Sequence, residues 1–298
     1  MNYSKFLIIL TLIIFFIQSD FKLLSQELDS VNATKNTKSS FNKRNAVKVG
    51  IVANTAAIFY TQYKWWWEDD YHPFHCHWEG YFNNYSKGID KLGHAYISYL
   101  YFKTFYSVMK WADYKEKDAI KYSVGIPLLY AVSVEMGDGF SSYQFSPDDL
   151  LSNIAGIGFA YLQTRNNISK NIQFKWSYYP SEFNPWQKKK LSITDDYDGH
   201  IYWLSFDVKN ILGEKYNQFW PKYINLALGY GADGVSKGNN DLKRREFIVG
   251  LDINLNHIQS KNKKTRNFID VLNTYRLPLP AIKFKENSQT EYKMFLMH

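Results

Sequence analysis

The chain has 298 residues, 45% of them hydrophobic, which is enough for a folded core and excludes an intrinsically disordered protein. Lysine and arginine (36) outnumber aspartate and glutamate (28), giving a net charge of +8, but the basic residues lie scattered in loops such as 188–190, 243–245 and 261–266. Because no predicted helix has a basic stripe, nucleic acid is excluded as a partner, and a membrane surface or another envelope component is expected instead.

The N-terminus has the pattern of an export signal. Lys5 provides a positive charge, residues 6–17 form an apolar run too short to span a bilayer, and residues 23–25 resemble a cleavage site. An uncleaved anchor is the alternative, but the polar residues 18–20 interrupt the run. We therefore predict a signal peptide over residues 1–25 and an exported protein, located in the periplasm or associated with the outer membrane.

Cysteine usage limits how the exported chain is stabilised. Cys76 is the only cysteine, so an intrachain disulfide is excluded and the core must provide the stability. It lies among His72, His75 and His77 in a loop rich in proline and aromatic residues, which resembles a zinc site. Because consecutive ligand-type residues lack the paired spacing of known zinc sites, a packed surface loop is the preferred interpretation.

Four apolar stretches of helical length follow a flexible linker, rich in Ser, Asn, Thr and Lys, over residues 26–45. These stretches cover residues 46–63, 90–112, 115–136 and 147–163. Each is near the lower length limit for spanning a bilayer, but lysines and acids interrupt them, which favours a soluble or interfacial bundle over transmembrane helices. We predict a helical core domain over residues 46–165.

The periodicity changes from helical to alternating after a connecting segment over residues 166–199. Alternating apolar residues predict strands near 202–208, 224–230 and 247–255. They indicate a small antiparallel sheet in a β-rich region, residues 200–298, that packs on the core. The predicted fold is mainly α: a helical bundle with a small C-terminal antiparallel β-sheet, α+β overall.

Three polar clusters interrupt the apolar helices and form the candidate site. Their members are three or four residues apart and therefore share helix faces. The pairs are Asp90 with His94, Glu135 with Asp138, and Asp149 with Asn153, and Lys91 stands beside the first pair. Pairs from different helices that face each other can surround one ion or one substrate group.

Two chemistries suit this cluster. Carboxylates with an imidazole would bind a divalent metal, which is the expected cofactor, with Asp90 and Asn153 supporting the ligands from behind. The metal-ligand candidates are His94, Glu135, Asp138 and Asp149. Without a metal, His94 and Glu135 could act as a base and its orienting partner, which makes them the catalytic candidates.

Helix capping is an alternative explanation at two helix starts. Asp90 stands where a helix is predicted to begin, and Ser146 followed three residues later by Asp149 fits a capping arrangement. Capping does not explain Asn153 and Gly156, which continue the face of Asp149 and would let another helix approach closely.

The other members of the cluster also have structural interpretations. His94 could be a hydrogen-bonded core histidine, and Glu135 with Asp138 could be a solvated helix end. Lys91 could extend its ammonium group to solvent, or it could hold a phosphate.

At these residues the chain resembles the YfiM-like family of predicted periplasmic lipoproteins, a bacterial domain of unknown function. The resemblance covers residues 65–163 and rests on Asp-Lys-x-x-His from Asp90, Glu-x-x-Asp from Glu135, and Ser-x-x-Asp-x-x-x-Asn-x-x-Gly from Ser146. The first and last patterns are also similar, more distantly, to VanZ-like membrane proteins. The resemblance implies an exported envelope protein and supplies no reaction. The chain departs from the lipoprotein pattern because no lipid-accepting cysteine follows the signal.

These observations lead to three hypotheses about function. The first is an exported, membrane-associated envelope protein whose polar cluster has a structural or ligand-binding role. The second is a metal-assisted hydrolase acting on a lipid or a cell-wall precursor. The third is an interaction module whose aromatic loop, residues 65–78, contacts a membrane or a partner.

Overall fold

The computed structural model describes residues 42–181, 193–194, 196–213, 217–235, 242–258 and 261–296. The predicted signal peptide, most of the predicted linker and part of the connecting segment lie outside these residues. The chain divides into two compact units, which are Met1–His75 with Tyr101–Phe145, and Cys76–Leu100 with Ser146–His298.

The first unit is helical in its described part. It contains helix α1 (Lys43–Gln62), which a short π-helical segment (Tyr63–Trp67) extends, the second half of α2 (Ile89–Trp111), and α3 (Glu116–Asp138). Asn42 caps α1, because its side chain accepts hydrogen bonds from two backbone N–H groups of the first turn. The core of this unit is small and consists of Val47, Met109, Ala112 and Ala119.

The histidine-rich loop begins in the first unit as an ordered surface segment. The N–H of His72 donates to the carbonyl of Phe140 at 2.7 Å, and the N–H of His75 donates to the carbonyl of Gly139 at 2.8 Å. Phe74 packs edge-on against Phe140. Within the part of the chain that the structure describes, no group of three metal-ligating side chains includes a residue of this loop.

The second unit brings two helix starts together. Helix α4 (Pro147–Arg165) begins after Ser146, whose side chain accepts a hydrogen bond from the N–H of Asp149, as the capping pattern predicts. A Cβ built at Gly156 would lie 1.9 Å from the carbonyl oxygen of Ala95 in α2. The missing side chain at Gly156 therefore allows the close contact of the two helices.

A six-stranded antiparallel sheet occupies the rest of the second unit. Its strands are β1 (Ile172–Tyr178), β2 (His200–Phe206), β3 (Ile224–Asp233), β4 (Arg244–Ile253), β5 (Ala281–Lys285) and β6 (Glu291–Lys293), and each pairs with the next. Two short helices, α5 (Val208–Leu212) and α6 (Lys263–Leu272), lie between strands. The rings of Phe174 and Tyr202 pack against Tyr96 of α2, which joins one face of the sheet to the helices of this unit.

The predicted fold class is wrong, because the sheet is large rather than small and the chain is not clearly a helical bundle. The three predicted strands are present as β2, β3 and β4, but three others were missed. β1 alternates in sequence yet lay inside the predicted connecting segment, and β5 and β6 are only 5 and 3 residues long. Strands this short carry too few residues for their period to be recognised.

The four predicted long helices are present with boundaries shifted by a few residues. Among the described residues, none of these helices combines the length and the apolar composition needed to cross a membrane.

Candidate functional site

The candidate site lies in the second unit, where α2 and α4 begin. Asp90, Lys91 and His94 occupy the first turns of α2, and Asp149 and Asn153 the first turns of α4. The N–H of Asp90 donates to the hydroxyl of Ser86 at 3.2 Å, and the Asp90 carboxylate contacts Lys91. Asp90 therefore lies in the first turn rather than at the cap.

Lys91 is the centre of the cluster. Its ammonium nitrogen contacts four carboxylates: Glu79 at 2.8 Å, Asp90 at 3.1 Å, Asp148 at 3.2 Å and Asp149 at 2.6 Å. The lysine is only 4% exposed, so the interpretation that it extends to solvent is wrong. A lysine buried this deeply is tolerated only when charged partners compensate for its lost hydration.

The electrostatics of the cluster show an excess of negative charge. Burial alone would lower the pKa of Lys91, but the charges of Asp90 and Asp149 outweigh it and raise that pKa above its ordinary value. Burial and the charge of Asp90 together raise the pKa of Asp149, although His94 and Lys91 oppose this. Burial also acts against the charged form of Asp148, but Lys91 prevails and lowers the pKa of that carboxyl group. One ammonium group is thus shared among more carboxylates than it neutralises.

His94 is held in a defined orientation by Asn153. The side-chain nitrogen of Asn153 lies 3.2 Å from His94 Nδ1 and also donates to the carbonyl of Asp149 at 2.9 Å. The side-chain oxygen of Asn153 accepts a hydrogen bond from the hydroxyl of Ser98 at 2.6 Å. With these bonds His94 Nδ1 must accept a hydrogen bond, so the proton of the neutral ring is assigned to Nε2.

Three donor groups converge on one side of Lys91. His94 Nε2 lies 3.8 Å from an oxygen of Asp90 and 3.7 Å from an oxygen of Asp149, and one donor atom of each residue lies within 4.8 Å of the others. Their side chains are 25%, 14% and 11% exposed, respectively, so a small ligand can reach them from solvent. Among the described residues this is the group with metal-ligand potential.

Two tyrosines extend the cluster on the side of Asp90. The hydroxyl of Tyr197 donates to Asp90 at 3.3 Å, and the hydroxyl of Tyr85 lies 3.0 Å from that of Tyr197. Burial and the charge of Asp90 raise the pKa of Tyr85, so this phenol stays neutral at physiological pH.

Four residues of the site were missed in the sequence. Asp148 carried a signal, since it belongs to the acidic first turn of α4. Glu79 and Tyr85 lie in a loop and Tyr197 begins a short 3₁₀ helix, and these three residues have no recognisable spacing. Their positions depend on how the chain folds back on itself, which local periodicity does not report.

Glu135 and Asp138 belong to the first unit, at the end of α3. Glu135 is 1% exposed, so the interpretation of this residue as part of a solvated helix end is wrong. Asp138 accepts a hydrogen bond from the indole N–H of Trp67 at 2.7 Å. The metal-capable group consists of Asp90, His94 and Asp149, and a shared role for Glu135 and Asp138 with them stays a prediction.

The segment that holds most of the site is similar to a described family model. Residues 78–165 match the family model described as "Predicted periplasmic lipoprotein (DUF2279)". The match includes every part of the cluster from Glu79 to Asn153 and confirms the predicted localisation, an exported protein of the periplasm or associated with the outer membrane. It also confirms the predicted class, a periplasmic domain of unknown function. No curated protein and no solved structure matches the chain.

Proposed function

We propose that this exported envelope protein is membrane-associated, is related to the YfiM-like proteins, and binds a divalent cation at Asp90, His94 and Asp149. The observation that carries the proposal is the charge imbalance around Lys91, whose single ammonium group contacts four carboxylates. Like charges held this close in a poorly hydrated site repel each other strongly. A cation on the accessible side would relieve the repulsion without displacing Lys91.

The donor set favours a transition metal or zinc. Two carboxylate oxygens and one imidazole nitrogen suit Zn²⁺ or Mn²⁺ better than Ca²⁺, which prefers oxygen ligands alone. Binding through His94 Nε2 moves the ring proton to Nδ1, which then needs an acceptor. The Asn153 amide must therefore turn its oxygen toward the ring, and this reorientation reduces the affinity that the site can reach.

The alternative function, a metal-assisted hydrolase of a lipid or a cell-wall precursor, shares the same cation. The hydrolase alternative is supported by the partial exposure of His94, which would let a substrate reach the three ligand residues. Turnover distinguishes the two functions, because a binding protein takes up the cation and releases no product.

Calorimetric titration of the chelator-treated protein with Zn²⁺ and with Mn²⁺ tests the cation site. We expect one cation per chain for the wild type, and an affinity at least about 10-fold lower in Asp90→Asn, His94→Ala and Asp149→Asn. Asp113→Asn is the matched control, because Asp113 is an exposed carboxylate of the first unit and should leave binding unchanged. Absence of saturable binding in a folded wild-type protein would leave the cluster as a purely structural network.

Asn153→Asp tests whether His94 Nε2 is a ligand of the cation. A carboxylate at this position accepts a hydrogen bond from Nδ1–H and supports a metal at Nε2, so we expect the affinity for Zn²⁺ to rise by about 10-fold. Asn153→Ala removes the partner and should not produce that gain. Equal affinities in the two variants would show that His94 Nε2 is not a ligand.

A further inference from the structure

In the sheet of the second unit, one face buries ion pairs around an apolar cluster, and the other face leaves several apolar side chains exposed. Antiparallel sheets of water-soluble proteins normally bury the apolar face and expose the polar one. Here β4 buries Glu246 and Asp252 and exposes Phe247, Val249 and Leu251, which alternate with them. Strand β5 alternates in the same register, with its lysines on the buried side, whereas β2 places apolar residues on that side.

The buried face combines an apolar cluster, which includes Trp203 and Ile248, with paired charged groups. Lys175 of β1 forms an ion pair with Asp252 at 2.6 Å, and both are 1% exposed. Lys283 of β5 forms a second ion pair with Glu246 at 2.7 Å. Because breaking buried ion pairs is costly, this face is fixed on the inside.

The opposite face presents contiguous apolar side chains to solvent. Cross-strand partners place Leu228 between Leu204 and Val249, and Phe247 between Tyr230 and Phe284. The members with more than a third of their surface exposed are Leu204, Leu228, Phe247, Val249, Leu251, Phe284 and Tyr292. We call these seven residues the outer apolar face. The aromatic contacts of Tyr96 in α2 lie on β1 and β2 of this side, at Phe174, Trp176 and Tyr202, and the ring of Phe82 packs on Tyr230 of β3.

One end of the outer apolar face is basic. Ile253 ends β4 and lines a shallow depression with Lys222 and Ile258, and the adjacent depression, which shares Ile258, is lined by Lys261 and Arg266. Exposed Phe219 and Tyr223 precede β3 at this end. Asp270 is the acidic residue in the lining of the second depression. His257, which lines the first depression, pairs with Asp207.

We infer that the outer apolar face docks on a lipid surface that contains anionic headgroups, with the acyl region against the seven apolar residues and the headgroups near Lys222, Lys261 and Arg266. This inference rests on the membrane association in the proposed function and is independent of the cation site. Apolar side chains beside a basic cluster are the combination that binds anionic membranes. A second copy of the chain fits this surface less well than lipid does, because it would place the same three cationic side chains, with a single acid, against Lys222, Lys261 and Arg266.

Flotation with phosphatidylglycerol-containing vesicles tests this surface. We expect the combined variant Leu228→Thr, Val249→Thr and Leu251→Thr to bind about 100-fold more weakly than the wild type, because three apolar side chains lose their lipid contacts. The control is Val49→Thr with Val52→Thr, which changes equally apolar residues exposed on α1 and should float like the wild type. Circular dichroism must show that the sheet of each variant is intact. If the sheet variant is folded and floats unchanged, the inference is wrong.

Two further measurements test the contribution of the lipid headgroups and the independence of lipid binding from the cation site. Replacing Lys222, Lys261 and Arg266 by Gln should weaken binding to phosphatidylglycerol vesicles at least about 10-fold and leave the weak binding to phosphatidylcholine vesicles unchanged. Asp149→Asn should float normally, so a missing cation site would not be mistaken for a failed lipid surface. Light scattering that shows a dimer in the wild type and a monomer in the sheet variant, without vesicle binding in either, would overturn the lipid assignment in favour of a second copy.

The single cysteine allows the contact to be placed on the molecule. A polarity-sensitive fluorophore on Leu228→Cys in a Cys76→Ser background should shift to the blue when vesicles are added. The same fluorophore on the native, exposed Cys76 should keep its emission. A shift at Cys76 and not at position 228 would place the membrane contact elsewhere and contradict the inference.

Discussion

The charge on Lys91 determines whether the cluster can exist, because four carboxylates meet at this one ammonium group. Lys91→Met keeps much of the volume and removes the charge. We expect the free energy of unfolding at neutral pH to fall by about 3–5 kcal/mol, since the carboxylates lose their buried partner. Urea unfolding measures the loss, and Lys43→Met, which breaks an exposed pair with Asp113, should change it little.

A bound cation offers a second readout of the same substitution. Zn²⁺ should restore part of the stability of Lys91→Met, because it supplies positive charge to the same carboxylates. If Lys91→Met is as stable as the wild type in urea, the four contacts do not form in solution.

Asp149 gives the cluster its pH dependence. The folded-state pKa of this carboxyl is raised by burial and by the charge of Asp90, so the folded chain holds the proton more tightly than the unfolded chain. Its contribution to stability is therefore fully present at low pH and is lost as the pH rises through the raised pKa. Asp149→Asn cannot titrate, so we expect the wild type to lose stability relative to this variant as the pH rises through that window. Unfolding curves at a series of pH values measure the difference; parallel curves for the two proteins would contradict the assignment.

At the scale of elements, Gly156 sets the distance between α2 and α4. A Cβ there would lie 1.9 Å from the Ala95 carbonyl oxygen, whereas one built at Gly158 has no heavy atom of the described residues within 4 Å. We expect Gly156→Ala to lower the free energy of unfolding by about 3 kcal/mol and to weaken cation binding, because the two helix starts move apart. Gly158→Ala should stabilise the chain slightly, since alanine favours a helix. Thermal unfolding of the two variants compares them directly, and a similar change in both would exclude the close contact.

Helices were more predictable than strands in this chain for a physical reason. Ser146 and Pro147 mark a helix start by local hydrogen bonding, which the sequence displays within a few residues. Strand β1 depends on partners far along the chain, and Lys175 within it is a buried charge whose partner Asp252 is 77 residues away. The spacing of Asp90, His94 and Asp149 was likewise readable on helix faces, but Glu79 reaches Lys91 from a loop that carries no periodic signal.

At the scale of the whole molecule, the sequence showed the alternation in β2, β3 and β4 without showing which side faces inward. Apolar alternation has the same period for either orientation of a sheet. The orientation follows from the burial of one side, which holds both the ion pairs and the apolar cluster around Trp203, and from the exposure of the other side. The outer surface of the second unit therefore could not be predicted from hydropathy alone.

Lys175→Met tests which face of the sheet is interior. If Lys175 is buried against Asp252, its removal leaves an unpaired buried carboxylate, and we expect the free energy of unfolding to fall by about 3–5 kcal/mol at neutral pH. Lys170→Met, at an exposed position just before β1, is the matched control and should cost little. Equal stability of the two variants in urea unfolding would mean that the face carrying Lys175 is solvated, which would contradict the lipid-docking surface on the opposite face.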